Sequence, residues 1–441
     1  MSQIVKVKLW GRLIGLLAYE PGQSSVASFE YDSAFLENGV SLSPLKLPLH
    51  PTPFAFDNIS QRTFHGLPGF IADALPDKFG NQLIDQYFTL KGRSSDEITA
   101  LDRLLYIGNR AMGGLEFEPS EKFKERPPSV ALDITMLSEL AELVLTKKEE
   151  FAKKLSQTDM QSAIELLRIG SSAGGARSKA LVARDENGIF YDGTLKQPMP
   201  CRYYMLKFDS KSNSDRDNED PKGMTRVEYV YSLIAKECGI DMPYTSFVEI
   251  GEEFHFLIER FDRINNGQTF SKRHYVSWAG MDHADRDVTG AYSYEQLVMA
   301  ARQLGLGQNQ IEEIFRRAVF NIVGKNQDDH TKNFGFLMNK DGSWELSPAF
   351  DMTYAYDPTG KWTKNHQIRL NQKQTDFTKE DIVTFGKYCN LNQKESIAIL
   401  QKTCDSFCKF DELANKYQIN GVLKDTIFKN LRLTFDKSSC L

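Results

Sequence analysis

The chain has 441 residues, of which 41% are hydrophobic and 26% are charged, and a formal net charge of −5; these values are typical of a globular protein with two or three domains. The mildly acidic balance argues against a general electrostatic attraction to nucleic acid or to anionic membranes. No apolar run approaches the roughly 18 residues of a membrane span, and the first residues alternate like a strand instead of forming a signal peptide, so we expect a cytoplasmic protein without a membrane partner.

Residues 1–124 are predicted to form an N-terminal β-rich subdomain. Val5, Val7 and Leu9 alternate with lysines, which is typical of a half-buried strand, and the chain returns along a second strand that ends at Tyr19. A helical stretch is expected around residues 69–87, and a tight glycine-containing loop at 104–117. The proline-rich segment 125–129 is the clearest domain boundary, and a helix is predicted from Asp133, as its N-cap, to about Lys154.

Residues 130–262 have the element order of a kinase small lobe. A Gly/Ser-rich loop at 170–179 leads into strands predicted at 180–183, 189–191 and 203–208. A helix follows at 225–238, where apolar residues recur at helical spacing before Gly239, and two strands are predicted at 246–250 and 255–260. Residues 263–441 are mainly helical, as in a kinase large lobe. The predicted fold class is therefore α+β: a two-lobed, protein-kinase-like fold with an additional N-terminal β-rich subdomain and a mainly helical C-terminal lobe.

Several small-lobe residues are candidates for binding a nucleotide. Lys207, on the third strand, is placed to contact phosphates, and Glu228 on the following helix is its natural ion-pair partner. Backbone amides at Gly174 and Gly175 can approach phosphate oxygens because no Cβ intervenes, and Lys179 ends the same loop. An exposed lysine and a flexible hairpin tip are the simpler interpretations of these features.

Two further observations bear on the kind of nucleotide site. The chain contains no Gly-Lys-Ser/Thr and the loop is not Gly-x-Gly-x-x-Gly, which disfavours a P-loop ATPase and a dinucleotide enzyme. Glu259 and Phe261 follow the last small-lobe strand, where a kinase hinge offers backbone groups to adenine. A core phenylalanine between salt-bridged charges is the alternative interpretation.

The segment 326–334 carries the strongest signal. Asp328 and Asn333 stand five positions apart, the separation of the base and the metal-binding asparagine in a kinase catalytic loop. An apolar run, an Asp-Gly turn at 341–342 and a second apolar run predict a β-hairpin that brings Asp351 back towards Asn333. We expect Asp328 to accept or orient a hydroxyl proton, and Asn333 and Asp351 to hold Mg²⁺ against ATP phosphates.

The neighbouring residues of this segment leave alternatives open. Asp329 is a rival base, although its spacing to Asn333 is one residue shorter. His330 is expected either to hydrogen-bond within the loop or to contact phosphate. Lys332 is expected to neutralise phosphate charge, with a solvated lysine as the alternative.

These motifs together resemble the HipA family, the kinase toxins of bacterial type II toxin–antitoxin systems. The resemblance rests on segments 171–180, 206–208, 259–263, 328–334 and 347–351 and extends over nearly the whole chain. It implies an ATP- and Mg²⁺-dependent serine/threonine protein kinase that phosphorylates a translation-related protein, such as an aminoacyl-tRNA synthetase. It also implies a helix-turn-helix antitoxin as partner, DNA contact only through that antitoxin, and autophosphorylation in the Gly/Ser loop at Ser172 or Ser171. The glycines and Arg177-Ser178 of that loop differ from the best-known members.

Two other functions remain compatible with the sequence. A small-molecule phosphotransferase of the antibiotic or choline kinase type shares the spacing from Asp328 to Asn333 and the later Asp351. A catalytically idle protein that acts only by binding its antitoxin is the other, although Lys207 and the three catalytic-loop positions are intact.

Overall fold

The computed structural model describes residues 4–19, 25–121, 129–147, 150–151, 160–171, 177–210, 221–265 and 270–435. The strands are β1 (Ile4–Leu9), β2 (Arg12–Tyr19), β3 (Ala27–Tyr31), β4 (Leu115–Glu118), β5 (Lys179–Arg184), β6 (Phe190–Asp192), β7 (Arg202–Lys207), β8 (Thr245–Ile250), β9 (Glu253–Glu259), β10 (Arg263–Asn265), β11 (Phe270–Lys272), β12 (His274–Ser277), β13 (Gly335–Met338) and β14 (Trp344–Leu346).

The helices are α1 (Ser33–Asn38), α2 (Gln61–Phe64), α3 (Gly69–Ala72), α4 (Lys78–Leu90), α5 (Ala100–Ile107), α6 (Ile134–Thr146), α7 (Met160–Gly170), α8 (Met224–Glu237), α9 (Trp278–Asp282), α10 (Tyr294–Gln303), α11 (Gln308–Val323), α12 (Lys379–Tyr388), α13 (Gln393–Cys408), α14 (Phe410–Lys416) and α15 (Gly421–Asn430). Short 3₁₀ helices lie at Ser95–Glu97 and Thr331–Asn333. Within the described part of the chain, every helix is too short or too polar to cross a membrane.

The chain divides into two compact units. The first comprises residues 1–222, 246–276 and 338–342, and the second comprises residues 223–245, 277–337 and 343–441. The predicted division into residues 1–124, 130–262 and 263–441 remains a prediction.

The first unit contains an N-terminal antiparallel sheet in the order β3-β2-β1-β4. Val5 and Val7 are fully buried on β1 while Lys6 between them is exposed, which confirms the alternation predicted from the sequence. The helical stretch expected at 69–87 is two helices, α3 and α4. Pro76 lies between them, and proline lacks the N–H that a continuous helix needs.

The five-stranded sheet of the same unit runs in the order β6-β5-β7-β9-β8. Its strands match those predicted to within about two residues. Buried residues of the sheet, such as Val182 and Leu206, pack with Leu137 of α6 and Leu166 of α7 in one hydrophobic core. Asp133 caps α6 as predicted, by accepting a hydrogen bond from Met136 N at 3.1 Å. The helix ends at Thr146 and not near Lys154, because its C-cap residue Lys147 leaves the helical conformation with a φ of −143°.

The second unit is mainly helical and includes α8, whose predicted start and stop are confirmed. Tyr231 of α8 is fully buried among aromatic rings and donates a hydrogen bond from Oη to Gly324 O at 2.8 Å. Gly324 ends α11 immediately before the predicted catalytic loop. Ser293 and Gln296 form a capping box at the start of α10. These helices form the scaffold from which the catalytic loop extends.

Candidate active site

The catalytic loop leaves α11, passes through residues 325–330 and enters the 3₁₀ helix at Thr331–Asn333. Thr331 Oγ1 donates to Ala284 O at 2.7 Å, which fixes the start of this short helix to the segment after α9. Asn333 N donates to His330 O at 2.9 Å. The loop is therefore held at its end by tertiary contacts as well as by its own turn.

Asp328 and Asn333, five positions apart in the sequence, are in contact. Asn333 Nδ2 donates to the backbone carbonyl of Asp328 at 2.7 Å. With its NH₂ group engaged, the amide offers its carbonyl oxygen as a ligand, the kind of donor that Mg²⁺ accepts. The Asp328 side chain is 48% exposed. A carboxylate with this exposure can reach a substrate hydroxyl.

Asp329 has the opposite environment. Its side chain is fully buried, and its oxygens accept hydrogen bonds from Tyr294 Oη at 2.8 Å and Gln367 N at 2.7 Å. His366 Nδ1 lies 2.7 Å from the same Oδ2 that Tyr294 contacts. Burial, together with the adjacent Asp329 charge, raises the pKa of Tyr294 well above its usual value, so the phenol stays protonated and donates. Asp329 thus anchors the loop, while its neighbour Asp328 is the one that can contact a substrate.

His330 and Lys332 are half-buried on the same loop. His330 Nε2 lies 3.9 Å from Asp328 Oδ1, which is too long for a hydrogen bond. His330 Nδ1 is buried and has no hydrogen-bond partner among the described residues. Both alternatives for His330, a hydrogen bond within the loop and a contact with phosphate, remain predictions. The phosphate contact of Lys332 also remains a prediction.

The predicted hairpin forms between β13 and β14, which are neighbouring strands. Ser347 N donates to Gly335 O at 2.8 Å where the second strand ends. Buried Arg317 of α11 donates to Ser347 O at 2.9 Å. The chain then reaches Asp351, which adopts a left-handed backbone conformation with φ of 52°.

The segment that contains Asp351 (residues 347–355), here called the metal loop after its predicted role, runs beside the predicted catalytic loop. Gln327 N donates to Ala355 O, and Ala355 N donates to Lys325 O, each at 3.0 Å. Asn326 Nδ2 lies 3.3 Å from Asp351 O. The hairpin therefore returns the segment that contains Asp351 to residues 325–327, at the start of the loop that carries Asp328 and Asn333. The predicted proximity of Asp351 to Asn333 remains a prediction.

The donor groups of this site fit a magnesium ion. Among the described residues, no three or more His, Cys, Asp or Glu side chains form a metal-binding group. Asp351 would offer a carboxylate oxygen and Asn333 an amide oxygen to a cation, with water and nucleotide phosphates completing the shell. Mg²⁺ is usually bound in this way, by one or two carboxylates plus phosphates and waters.

The candidate nucleotide-binding residues of the first unit lie on its five-stranded sheet. Lys207 ends β7, the middle strand, and is 7% exposed; it pairs in register with Lys179 on β5 and Phe256 on β9. Lys179 is also buried. In the second unit, Glu228 is buried on α8. The predicted pairing of Lys207 with Glu228 remains a prediction.

The Gly/Ser loop falls largely outside the described residues, and with it the predictions for Ser172, Gly174 and Gly175. Ser171 lies within the described residues. Its side chain is fully buried, and its Oγ donates a hydrogen bond to Arg168 O at 3.3 Å. In this conformation the Ser171 hydroxyl is shielded from solvent.

The segment 259–263 has a structural role that the sequence only raised as an alternative. Asp262 is fully buried and accepts hydrogen bonds from Arg260 and Arg263 at 2.7–2.9 Å and from Gly113 N at 2.7 Å. Burial by itself would raise the pKa of Asp262, but the two arginines lower it overall. Arg263 also donates to Ala111 O at 3.1 Å. The charges therefore bind the glycine-containing loop before β4 to the end of β9.

Glu259 and Phe261, the predicted adenine hinge, flank this ion cluster. Glu259 is the last residue of β9 and lies opposite Tyr204 of β7. Burial raises the pKa of Glu259, and Arg202 opposes the shift. The Phe261 ring is 5.5 Å from that of Tyr275, centroid to centroid. Both residues are half-buried, and their contact with adenine remains a prediction.

Sequence reasoning missed the buried residues that support the catalytic loop, namely Tyr294, Asn321, Asn326 and His366. Asn326 lies inside the motif-bearing segment and could have been singled out as a buried amide. His366 lies 37 positions after Asp329 and has no local signal that links the two. Such contacts depend on tertiary packing, which periodicity does not report.

Comparison with protein families gives two matches. The model of the HipA-like C-terminal domain matches residues 171–409, more than half of the chain, and that of the HipA N-terminal domain matches residues 5–118.

Similar proteins and structures agree with these matches. A protein named putative kinase from Haemophilus influenzae is 26% identical over 205 residues, which are 40% of this chain and 57% of that protein. The serine/threonine-protein kinase toxin HipA of Shewanella oneidensis is 22% identical over 369 residues, covering 79% of this chain and 74% of that protein. A chain in the solved complex of HipA, HipB and operator DNA from Shewanella oneidensis MR-1 matches with a TM-score of 0.60 and 17% identity, covering 96% of this chain and 94% of that one. This likeness confirms the predicted α+β, kinase-like fold.

Proposed function

The chain belongs to the HipA family of kinases, as its motifs predicted, and on that premise we propose that it is an ATP- and Mg²⁺-dependent serine/threonine protein kinase. The observation that carries the proposal is the local geometry of the catalytic loop. The backbone carbonyl of the exposed Asp328 accepts a hydrogen bond from the side-chain amide of Asn333. Asn326 of the same loop contacts the backbone carbonyl of Asp351.

Each of these residues has a distinct part in the proposed reaction. The magnesium–nucleotide supplies an activated phosphoryl group whose negative charge is partly neutralised. Asp328 orients the attacking serine or threonine hydroxyl and takes up its proton. Asn333 and Asp351 offer oxygen ligands to the metal, and Lys207, with Lys179 nearby in register, offers positive charge to the phosphates. His330 and Lys332 lie on the same loop, where they can contact a transferred phosphate.

We further propose that the chain is the toxin of a toxin–antitoxin pair. Its partner would be a helix-turn-helix antitoxin, and DNA would be contacted only through that protein. The support is the family match together with the likeness to a chain of the HipA–HipB–operator DNA complex. We place its action in the cytoplasm, on a translation-related protein with a serine or threonine acceptor. Co-expression with a helix-turn-helix protein encoded beside it should yield a stable complex; separate elution of the two would contradict this pairing.

Autophosphorylation in the Gly/Ser loop is part of the same proposal. Of the two candidate serines, Ser172 is preferred, because the Ser171 hydroxyl is fully buried and must be uncovered before it can accept phosphate. Mass spectrometry of the protein after incubation with Mg²⁺ and ATP should find phosphate on Ser172. The absence of phosphate from both serines would contradict autophosphorylation in this loop.

The central experiment is phosphorylation of a cell lysate by the purified protein, followed by a phosphoproteome. We expect new phosphoserine or phosphothreonine on one or a few proteins with the wild type, and none with Asp351→Ala, which lacks a proposed metal ligand. Phosphorylation of a metabolite but of no protein would instead favour a small-molecule phosphotransferase.

A growth assay separates catalysis from binding alone. Expression of the wild type should slow growth, and Asp351→Ala should not, provided that immunoblots show equal amounts of both proteins. Equal growth inhibition by the two would favour the catalytically idle antitoxin-binding protein.

A further inference from the structure

A series of hydrogen-bonded, buried polar side chains begins at Asp329, the residue that anchors the catalytic loop. Tyr294 Oη, which donates to Asp329, accepts a hydrogen bond from Asn321 Nδ2 at 3.0 Å. Asn321 Oδ1 in turn accepts from Asn326 Nδ2 at 2.9 Å. The four residues are 0–3% exposed. Buried polar groups of this kind hold each other in one arrangement, because each lost contact would leave a desolvated group without a partner.

The same amide group of Asn326 reaches the metal loop. Its Nδ2 lies 3.3 Å from the backbone carbonyl of Asp351, so one NH₂ group contacts both Asn321 and Asp351. Asp351 has a φ of 52°, a left-handed conformation that is uncommon for residues with a Cβ. Asn326 is one of the groups that contact the backbone at this conformation.

Asn326 is itself held in place by the catalytic loop. Its backbone N donates to Asn321 O at 3.0 Å, and its neighbours Lys325 and Gln327 bond to Ala355 on the metal loop. Asp328, the proposed base, follows two residues later. Asn326 thus lies where the catalytic loop and the metal loop run side by side.

We infer that Asn326 is a positioning residue for metal binding: by holding the carbonyl of Asp351 it fixes the backbone from which the Asp351 carboxylate extends. In this role it acts through Asp351 and is itself a ligand of neither the metal nor the nucleotide. The inference rests on the proposed function, since it takes Asp351 to be a ligand of the nucleotide-bound cation. A merely structural amide would stabilise the fold without affecting how tightly the cation binds.

The test is the affinity of the purified full chain for Mn²⁺, measured by electron paramagnetic resonance with a non-hydrolysable ATP analogue present. Asn326→Leu keeps most of the side-chain volume but removes both donors, and it should weaken Mn²⁺ binding about tenfold, the effect of one lost hydrogen bond of the stronger kind. Asn309→Leu replaces an exposed asparagine on α11 and should leave the affinity unchanged. The melting temperature of each protein without ligand is measured in parallel.

The outcomes separate the inference from the proposed function. Wild-type protein that binds no Mn²⁺–nucleotide would overturn the proposed function, and the inference with it. Wild-type binding together with unchanged affinity in Asn326→Leu would overturn the inference alone, even if the melting temperature falls. If Asn326→Leu does not fold, Asn326→Ser, whose hydroxyl is too short to reach Asp351, is measured in its place with the same expected loss.

Discussion

At the scale of single residues, Asp328 and Asp329 show how two adjacent carboxylates come to lie in different environments. Asp328 is half exposed, whereas Asp329 is buried against Tyr294, His366 and Gln367 N. The sequence favoured Asp328 only through its spacing to Asn333. The burial of Asp329 supports that choice for an independent reason, since a fully enclosed carboxylate cannot contact a substrate hydroxyl.

Substituting the two aspartates separately should affect two different properties, the rate of phosphate transfer for Asp328 and the stability of the protein for Asp329. Asp328→Asn is expected to lower the rate of phosphate transfer by roughly 10² or more, because a positioned base is lost, while the melting temperature stays the same. Asp329→Asn should lower the free energy of unfolding by about 1.5–3 kcal/mol, because hydrogen bonds to a buried charge are weakened. Steady-state kinetics and calorimetry on both variants check this. A large rate loss with unchanged stability in Asp329→Asn would reverse the assignment.

A second prediction at the residue scale concerns acid stability. His274 is fully buried on β12 with Nε2 3.3 Å from Leu42 O, and burial lowers its pKa from 6.5 to about 4. The unfolded chain therefore binds a proton at a higher pH than the folded protein does. The contribution of neutral His274 to the free energy of unfolding is fully present above pH 6.5. It is lost as the pH falls towards 4, which lowers the free energy of unfolding by up to roughly 3 kcal/mol.

The His274→Gln variant should show a smaller fall in unfolding free energy between pH 6.5 and pH 4 than the wild type shows. Exposed His50 offers a matched control, and His50→Gln should follow the wild-type curve. Urea unfolding at several pH values measures the difference. Parallel curves for the wild type and His274→Gln would show that His274 does not titrate as its burial implies.

At the scale of elements, the small-lobe strands and α8 were predictable because each has a clear periodicity and a clear end. α8 ends before Gly239, whose φ of 82° suits a residue without Cβ. The paired strands β10 and β11 were missed. Asn266-Gly267 between them is a strong turn signal, but strands of three residues each are too short for alternation to stand out.

The ion cluster at the end of β9 shows the limit of motif reading at this scale. The sequence placed Glu259 and Phe261 in a hinge, but it could not show that Asp262 would bond to Gly113, 149 positions earlier. Arg260 and Arg263 compensate the buried charge of Asp262 from both sides. Removing one member of such a buried cluster leaves the other charges without compensation.

Asp262→Asn should consequently destabilise the protein by about 3–5 kcal/mol, because two buried arginines would lose their counter-charge. Exposed Asp57 gives the control, and Asp57→Asn is expected to change the free energy of unfolding by less than about 0.5 kcal/mol. Denaturant unfolding of both variants provides the measurement. Equal stability of Asp262→Asn and the wild type would mean that the cluster does not hold the glycine-containing loop to β9.

At the scale of the whole molecule, the order of elements predicted the fold class, and the family and fold comparisons confirm it. The division of the chain into compact units was harder to predict from the sequence. Phe79 and Leu83 of α4, from the predicted N-terminal subdomain, pack in the same hydrophobic core as Val182 and Leu206 of the five-stranded sheet. Composition marks the proline-rich segment as a boundary, but contacts that cross it in space leave no trace in the local sequence.

The account depends on a magnesium–nucleotide bound at Asp351 and Asn333, and calorimetric titration of the purified chain with a non-hydrolysable ATP analogue tests it most directly. We predict binding with Mg²⁺ that is abolished by a chelator and by Asp351→Ala, and that is retained by Asp328→Asn, since Asp328 acts on the acceptor hydroxyl. Nucleotide binding of equal strength without Mg²⁺, or in Asp351→Ala, would contradict the account.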